Sequence, residues 1–352
     1  MIARKGQTLL LSPEDLKPSR EDFEVVGVFN PGAVLVDGEV VLLVRVAERP
    51  RERREGFTPL PRWELGQGSV VDWTADSEVE PLDPRVVRRK ADGLIRLTFL
   101  SHLRVVRCGA DGRSVTELAD VHFWPNSPME EFGVEDPRIT WIDDRFWITY
   151  VAVSRHGAAT SLASTTDFQT FERHGVIFCV ENKDVVLFPE LIEGEYVALH
   201  RPNAATPFTR PEIWIARSTD LIHWGRHEPL SWGSGVWETG RVGAGPPPIR
   251  VPEGWLEIYH GNRRPGAPGE IGVYSAGALL LDLKDPSLVV KRTPHAFFSP
   301  AVDFERIGFV SEVVFPTGIV TEGDTLLLYY GAADSRVAVV EFSLAELLAS
   351  LQ

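Results

Sequence analysis

Asp136 lies in the segment GVEDPRIT, where Pro137 fixes the backbone just after the carboxylate. A carboxyl held at one place in a concave polar site can donate a proton to a leaving group. Taken alone, an Asp-Pro pair marks a turn more often than a catalyst. The chain carries a near copy, LDPRVV at 82–87, around Asp83. Other chemistries find less support. Cys108 and Cys179 are the two cysteines, and their spacing fits no zinc or redox motif. No His/Asp/Glu cluster has dedicated metal-ligand spacing.

The elements that must position Asp136 read as short strand pairs. An apolar strand runs into a small acidic or glycine turn, and a second apolar strand follows. The pairs are AVLVDGEVVLLVR at 33–45, VVRRKADGLIRLTFL at 86–100, ITWIDDRFWITYVAV at 139–153, LFPELIEGEYVALH at 187–200, PPIRVPEGWLEIYHG at 247–261 and GIVTEGDTLLLYYG at 318–331. The second strands are rich in β-branched and aromatic residues, and the turns carry Asp, Glu or Gly. Turns recur at about 50 to 70 residues, close to the length of a four-stranded propeller blade. STTDFQTFERHG at 164–175 is echoed by RSTDLIHWGRHEP at 217–229, a second sign of repetition. The expectation is a single all-β domain over 1–352, a β-propeller of five or six blades, with a short helix at SLAELLASL. The charged stretch at 46–70 is expected as a solvated loop or a lid.

The whole-chain balance sets outer limits. With 352 residues and 43% hydrophobic content the chain can bury a large core. A formal charge of −14 argues against a nucleic-acid partner. No apolar run has membrane-spanning length, and the N-terminus lacks a clean signal-peptide pattern. Low cysteine usage leans towards a reducing, cytoplasmic setting. A homo-oligomer is left open.

The ordered motifs NPGAVLVDGEVVLLVR at 30–45, EFGVEDPRIT at 131–140, NKDVVLFPE at 182–190, LHRP at 199–202, GAGPPPI at 243–249, YHG at 259–261, VVFPTG at 313–318 and YYGAAD at 329–334 resemble glycoside hydrolase family 130. These are the inverting β-mannoside phosphorylases and related β-mannosidases. The resemblance implies a five-bladed β-propeller, with the sixth hairpin as an extra. It implies Asp136 as general acid, protonating the glycosidic oxygen through the 3-hydroxyl of the mannose being cleaved. It implies inorganic phosphate as co-substrate, no cofactor and no metal, and α-mannose 1-phosphate as product.

On the same basis Arg155, Arg173, Lys183 and His260 are candidates for holding phosphate. His156 and His174 are weaker candidates. Arg45, Glu190, Arg201 and Asp334 are candidates for binding the sugar. The alternative, hydrolysis, needs a carboxylate to activate water opposite Asp136. Glu190, Glu238 and Glu312 are the residues to inspect for that role. A non-catalytic sugar-binding protein is a third reading. Trp73, Trp124, Trp237 and Trp255 could stack on sugar faces or pack in the core.

Overall fold

The computed structural model describes residues 2–203, 210–230, 235–263, 266 and 271–352. Among these residues, strands dominate and pair antiparallel in seven separate sheets. The N-terminal strand Gly6–Leu11 joins the last three strands, Val314–Glu322, Thr325–Ala332 and Arg336–Ser343. A second sheet pairs Phe23–Val36, Glu39–Pro50, Leu100–Cys108 and Val115–Phe123. A third runs in chain order from Val134–Ile142 to Glu172–Phe178, and a fourth from Asn182–Leu187 to Trp224–Pro229. The fifth is built on Gly254–Asn262 and Tyr274–Leu281.

The run VVLLVRV at 40–46 explains how the sheets stack. Successive strand residues point to opposite faces, so a continuous apolar run is buried on both. Val40, Leu42 and Val44 pack with Leu327, Tyr329 and Val339 of the sheet holding both chain ends. Val41 and Leu43 pack with Ile139, Ile148 and Tyr150 of the third sheet. The same two-sided burial recurs where Val185 and Leu187 meet Leu162, and Val186 and Leu199 meet Trp255 and Leu279.

The all-β reading and the C-terminal helix hold. Helix Leu344–Ala349 is capped by Ser343, whose side chain accepts from the backbone N–H of Glu346 at 3.1 Å. The five-bladed propeller expectation is corrected. The strands form discrete open sheets, and no sheet closes or curls into a barrel. The 86–100 repeat is not a unit either. Val86–Arg89 and Ile95–Leu97 belong to a small sheet with Val79–Asp83, while Leu100 begins a strand of another sheet. The charged 46–70 stretch is also not a plain loop, because Phe57–Glu64 and Gly68–Ala75 pair as a hairpin.

Candidate active site

A cavity of ≈ 770 Å³ opens where Val134–Ile142 lies between Phe23–Val36 and Asn182–Leu187 and contacts both. Each of these strands is broken at the cavity by a shift of register. The shifts fall between Phe29 and Gly32, between Glu135 and Arg138, and between Lys183 and Val186. At each break a polar residue adopts a left-handed backbone: Asn30 at φ 49°, Asp136 at 48° and Asp184 at 55°. Asp334, in the turn after Thr325–Ala332, does the same at 46°. Asn and Asp tolerate this region best among residues with a side chain, yet each such residue costs about 1–3 kcal/mol. All four line the cavity, so the strained positions coincide with the polar groups aimed into it.

Asp136 is buried and tethered through one oxygen. Asn30 Nδ2 donates to its Oδ1 at 2.8 Å, and Arg45 Nη1 donates to the same atom at 2.9 Å. Arg45 also donates to Glu135 Oε1 at 2.6 Å and to Ser101 Oγ at 3.1 Å. Its guanidinium lies 4.6 Å from the centre of the Phe29 ring. Below Asp136, Arg138 donates to the Asp136 carbonyl at 2.6 Å and to the Gly245 carbonyl at 3.1 Å. Burial pushes the Asp136 carboxyl up, but Arg45, Arg138, Asn30 and Lys183 together hold it below the usual carboxylate range. Asp334 goes the other way: burial raises it, and Arg85 and Arg45 offset this only in part. Asp136 is therefore the more acidic of the two carboxyls and Asp334 the readier proton holder.

Asp184 gathers the cations. Arg201 Nε lies 2.9 Å and His260 Nε2 3.2 Å from its Oδ2, and Arg138 Nη2 lies 3.4 Å from its Oδ1. Burial would raise this carboxyl, but Arg201, His260 and Arg138 hold it far below its ordinary value. Burial depresses the His260 imidazole in turn, with Asp184 only partly opposing it.

The sequence-derived residues divide clearly. Arg45, Asp136, Arg155, Lys183, Arg201 and Asp334 line one cavity, as does His156. Lys183 Nζ is 3.8 Å from Glu135 Oε2. Arg155 sits half-exposed at the lip, held by Glu131 through bonds of 2.8 and 2.6 Å.

Four others lie elsewhere. Arg173 is packed behind the third sheet against the Phe123 ring, with Glu130 Oε1 at 3.2 Å and the Trp124 carbonyl at 2.6 Å. His260 is fully buried behind Asp184, its Nε2 3.2 Å from Oδ2, and does not line the cavity. Glu190 pairs with Arg250 at the surface at 2.7 Å. His174 hydrogen-bonds Ser164 at 2.9 Å, away from the cavity.

The carboxylates considered for activating water do not line the cavity either. Glu238 is sequestered with Tyr259 and Arg292, and Glu312 stands beside Arg306. The four named tryptophans do not line the cavity. Trp255 is core, Trp237 packs on Tyr259, Trp73 lies under Arg54, and Trp124 stacks on Trp63 and His122. Asn30, Glu135, Asp184 and Arg85 are among the polar cavity residues that sequence reasoning passed over. Glu135 and Asp184 lie near the start of their strands, as Asp136 does, whereas Asn30 sits within Phe23–Val36 at its register shift.

A family model described as "beta-1,4-mannooligosaccharide phosphorylase" (Glyco_hydro_130) matches residues 102–352. A "Beta-1,2-mannobiose phosphorylase" of Listeria innocua is 41% identical over 361 residues, covering 100% of this chain and 98% of that protein. A "Beta-1,4-mannooligosaccharide phosphorylase" of Ruminococcus albus is 37% identical over 58% of this chain and 61% of its own length. Among solved structures, the Listeria innocua β-1,2-mannobiose phosphorylase in complex with β-1,2-mannobiose superposes with a TM-score of 0.90 at 40% identity. That match covers 97% of this chain and 96% of the other.

Proposed function

The chain belongs to glycoside hydrolase family 130, and from that premise we propose that it is an inverting β-mannoside phosphorylase acting on β-1,2-linked mannosides. The observation that carries the reading is one cavity holding both a tethered carboxylate, Asp136, and convergent cations, Arg45, Arg155, Lys183 and Arg201. An anionic nucleophile needs no protein base, but it does need fixed donors beside the carboxylates. Glu190, Glu238 and Glu312, the carboxylates considered for activating water, do not line the cavity. We read residues 1–352 as one catalytic unit.

In this mechanism a phosphate oxygen attacks the anomeric carbon from the face opposite the leaving group. The C1–O bond to the acceptor sugar breaks, and the departing oxygen takes a proton delivered from Asp136 through the mannose 3-hydroxyl. The products are α-mannose 1-phosphate and the shortened acceptor. Lys183 and Arg155 hold phosphate, and Arg45, Arg201 and Asp334 hold sugar hydroxyls. His260 supports Arg201 from beneath by way of Asp184.

An acid must carry a proton, whereas resting Asp136 is held ionised by its cations. Phosphate resolves this, because its negative charge offsets the field of Lys183 and Arg45 and raises the proton affinity of Asp136. Binding of phosphate is then accompanied by proton uptake. Inorganic phosphate is a co-substrate, and no cofactor or metal enters the scheme. Cys108 and Cys179 are both free thiols, which fits a reducing compartment, the cytoplasm. Among the described residues no helix is long and apolar enough to cross a membrane.

The test is Asp136→Asn. The variant keeps the side-chain shape, and kcat for phosphorolysis should fall about 10²–10⁴-fold, the usual contribution of a general acid. An unchanged circular dichroism spectrum and melting temperature would confirm that the fold survives. Retained turnover in the purified variant would remove Asp136 from its role.

A further inference from the structure

The tripeptide Asp-Pro-Arg occurs twice, at 136–138 and at 83–85. The second copy is the one whose local sequence reads as a turn, and it has no place in the mechanism above. Asp83 is not among the left-handed residues, so it does not repeat the geometry of Asp136. Its work is to hold Arg85. Asp83 Oδ1 accepts from the Arg85 backbone N–H at 2.8 Å and from its Nε at 3.3 Å, and Oδ2 accepts from Nη2 at 3.2 Å. The Arg85 carbonyl is fixed by the backbone N–H of Thr98 at 2.9 Å. The small sheet of Val79–Asp83, Val86–Arg89 and Ile95–Leu97 thus presents one guanidinium in a set orientation.

That guanidinium points into the active-site cavity, where both Arg85 and Asp334 are lining residues. Arg85 Nη1 stops 3.6 Å from Asp334 Oδ2. This is an ion-pair contact too long for a direct hydrogen bond, so both groups keep hydrogen-bonding capacity towards the cavity. A hydroxyl beside the pair suits it, since a hydroxyl accepts from a guanidinium and donates to a carboxylate. Phosphate does not suit it. Arg85 already faces two carboxylates, Asp83 and Asp334, and an anion placed there would meet both.

We infer that Arg85 contacts the substrate, forming with Asp334 a donor–acceptor clamp for pyranose hydroxyls, and that Asp83 is its positioning residue. The inference rests on the mannoside reading of the cavity and adds a sugar contact from the accessory sheet. The bland alternative is an ion pair that only docks this sheet on the main body.

The experiment compares wild type with Arg85→Ala, Arg85→Lys and Asp83→Asn. Affinity for β-1,2-mannobiose is read by titration calorimetry without phosphate, and KM for mannobiose and for phosphate is read separately in turnover. Arg85→Ala should weaken mannobiose binding and raise its KM about tenfold or more, as loss of a hydrogen bond to a charged group does. KM for phosphate should stay within about twofold. Asp83→Asn should shift the same constant less, with kcat little changed. Lysine at 85 should restore part of the affinity, since it keeps the charge but loses the fork.

Unchanged mannobiose affinity in Arg85→Ala, or a rise in phosphate KM alone, would overturn the clamp. If Arg85→Ala does not fold, the Asp83→Asn and Arg85→Lys titrations decide, and normal affinity in both overturns it. Binding and turnover separate the two readings. Wild type that binds mannobiose but forms no mannose 1-phosphate contradicts phosphorolysis and leaves the clamp to be judged on affinity.

Discussion

Replacing Asp184 by Asn removes one negative charge from the midst of three cationic or protonatable side chains and leaves the residue's shape nearly unchanged. In the wild-type protein that carboxylate faces Arg201 at 2.9 Å, His260 at 3.2 Å and Arg138 at 3.4 Å. Arg138 and Arg201 are both buried, so neither is fully solvated where it stands. An amide would also turn its N–H₂ towards one of these donors. Breaking a buried ion pair by removing one partner costs about 3–5 kcal/mol. With an unfolding entropy of about 2.1 cal/mol/K per residue, a chain of 352 residues converts this into a melting shift of about 4–7 °C.

The assay is differential scanning calorimetry of wild type and Asp184→Asn across pH. The folded-state pKa of Asp184 is depressed. Its stabilisation is therefore present above the unfolded value of about 3.9 and is lost as pH falls below it towards the folded value. The gap between the two proteins should be constant from about pH 5 to 8 and should shrink in stronger acid. A shift under about 1 °C at pH 7 would refute the view that Asp184 is the counter-charge on which this cluster depends.

Removing Arg155 should raise the KM for phosphate about tenfold, the loss of a charge-assisted contact, with mannobiose affinity unchanged; unchanged phosphate dependence would take Arg155 out of that role. Arg173→Ala should do the reverse. It leaves buried Glu130 without its ion pair and should cost about 2 kcal/mol or more in a thermal melt, while the phosphate KM is unaffected. Calorimetric titration of phosphate in buffers of different ionisation enthalpy should report proton uptake near neutral pH in wild type. Asp136→Asn should show less uptake, and equal uptake in both would dissociate phosphate binding from protonation of Asp136.

Much of the site was legible because its motifs are local. GVEDPRIT, NKDVVLFPE and YYGAAD each deliver a residue to the cavity, and Asp136, Lys183 and Asp334 could be named from short segments. The failures came where position depends on pairing between distant strands. Arg173 stands in a segment echoed elsewhere in the chain, yet its strand is the outer one of its sheet and its side chain turns to Glu130. His260 ends an inner-facing motif but lies beneath Asp184, a depth that no spacing rule reports. Asp184 was itself overlooked, since only the break in register after Lys183 turns it inward.

Turn spacing was a poor guide to the architecture. Even turn spacing suggested equivalent repeats, but the second turn belongs to the small sheet around Val86–Arg89, outside the five larger ones. Sheet membership is decided by which strand Leu100–Cys108 pairs with, a partner about 60 residues earlier in the chain.

Whether the cavity uses phosphate or water to cleave a β-1,2-mannoside is read directly from the products. Purified protein is incubated with β-1,2-mannobiose with and without phosphate, and mannose 1-phosphate is quantified against free mannose. A parallel β-1,4-mannobiose reaction reports the linkage. Mannose 1-phosphate and free mannose should form in equal amounts, and only when phosphate is present. Two free mannoses per disaccharide, released at the same rate without phosphate, would contradict it.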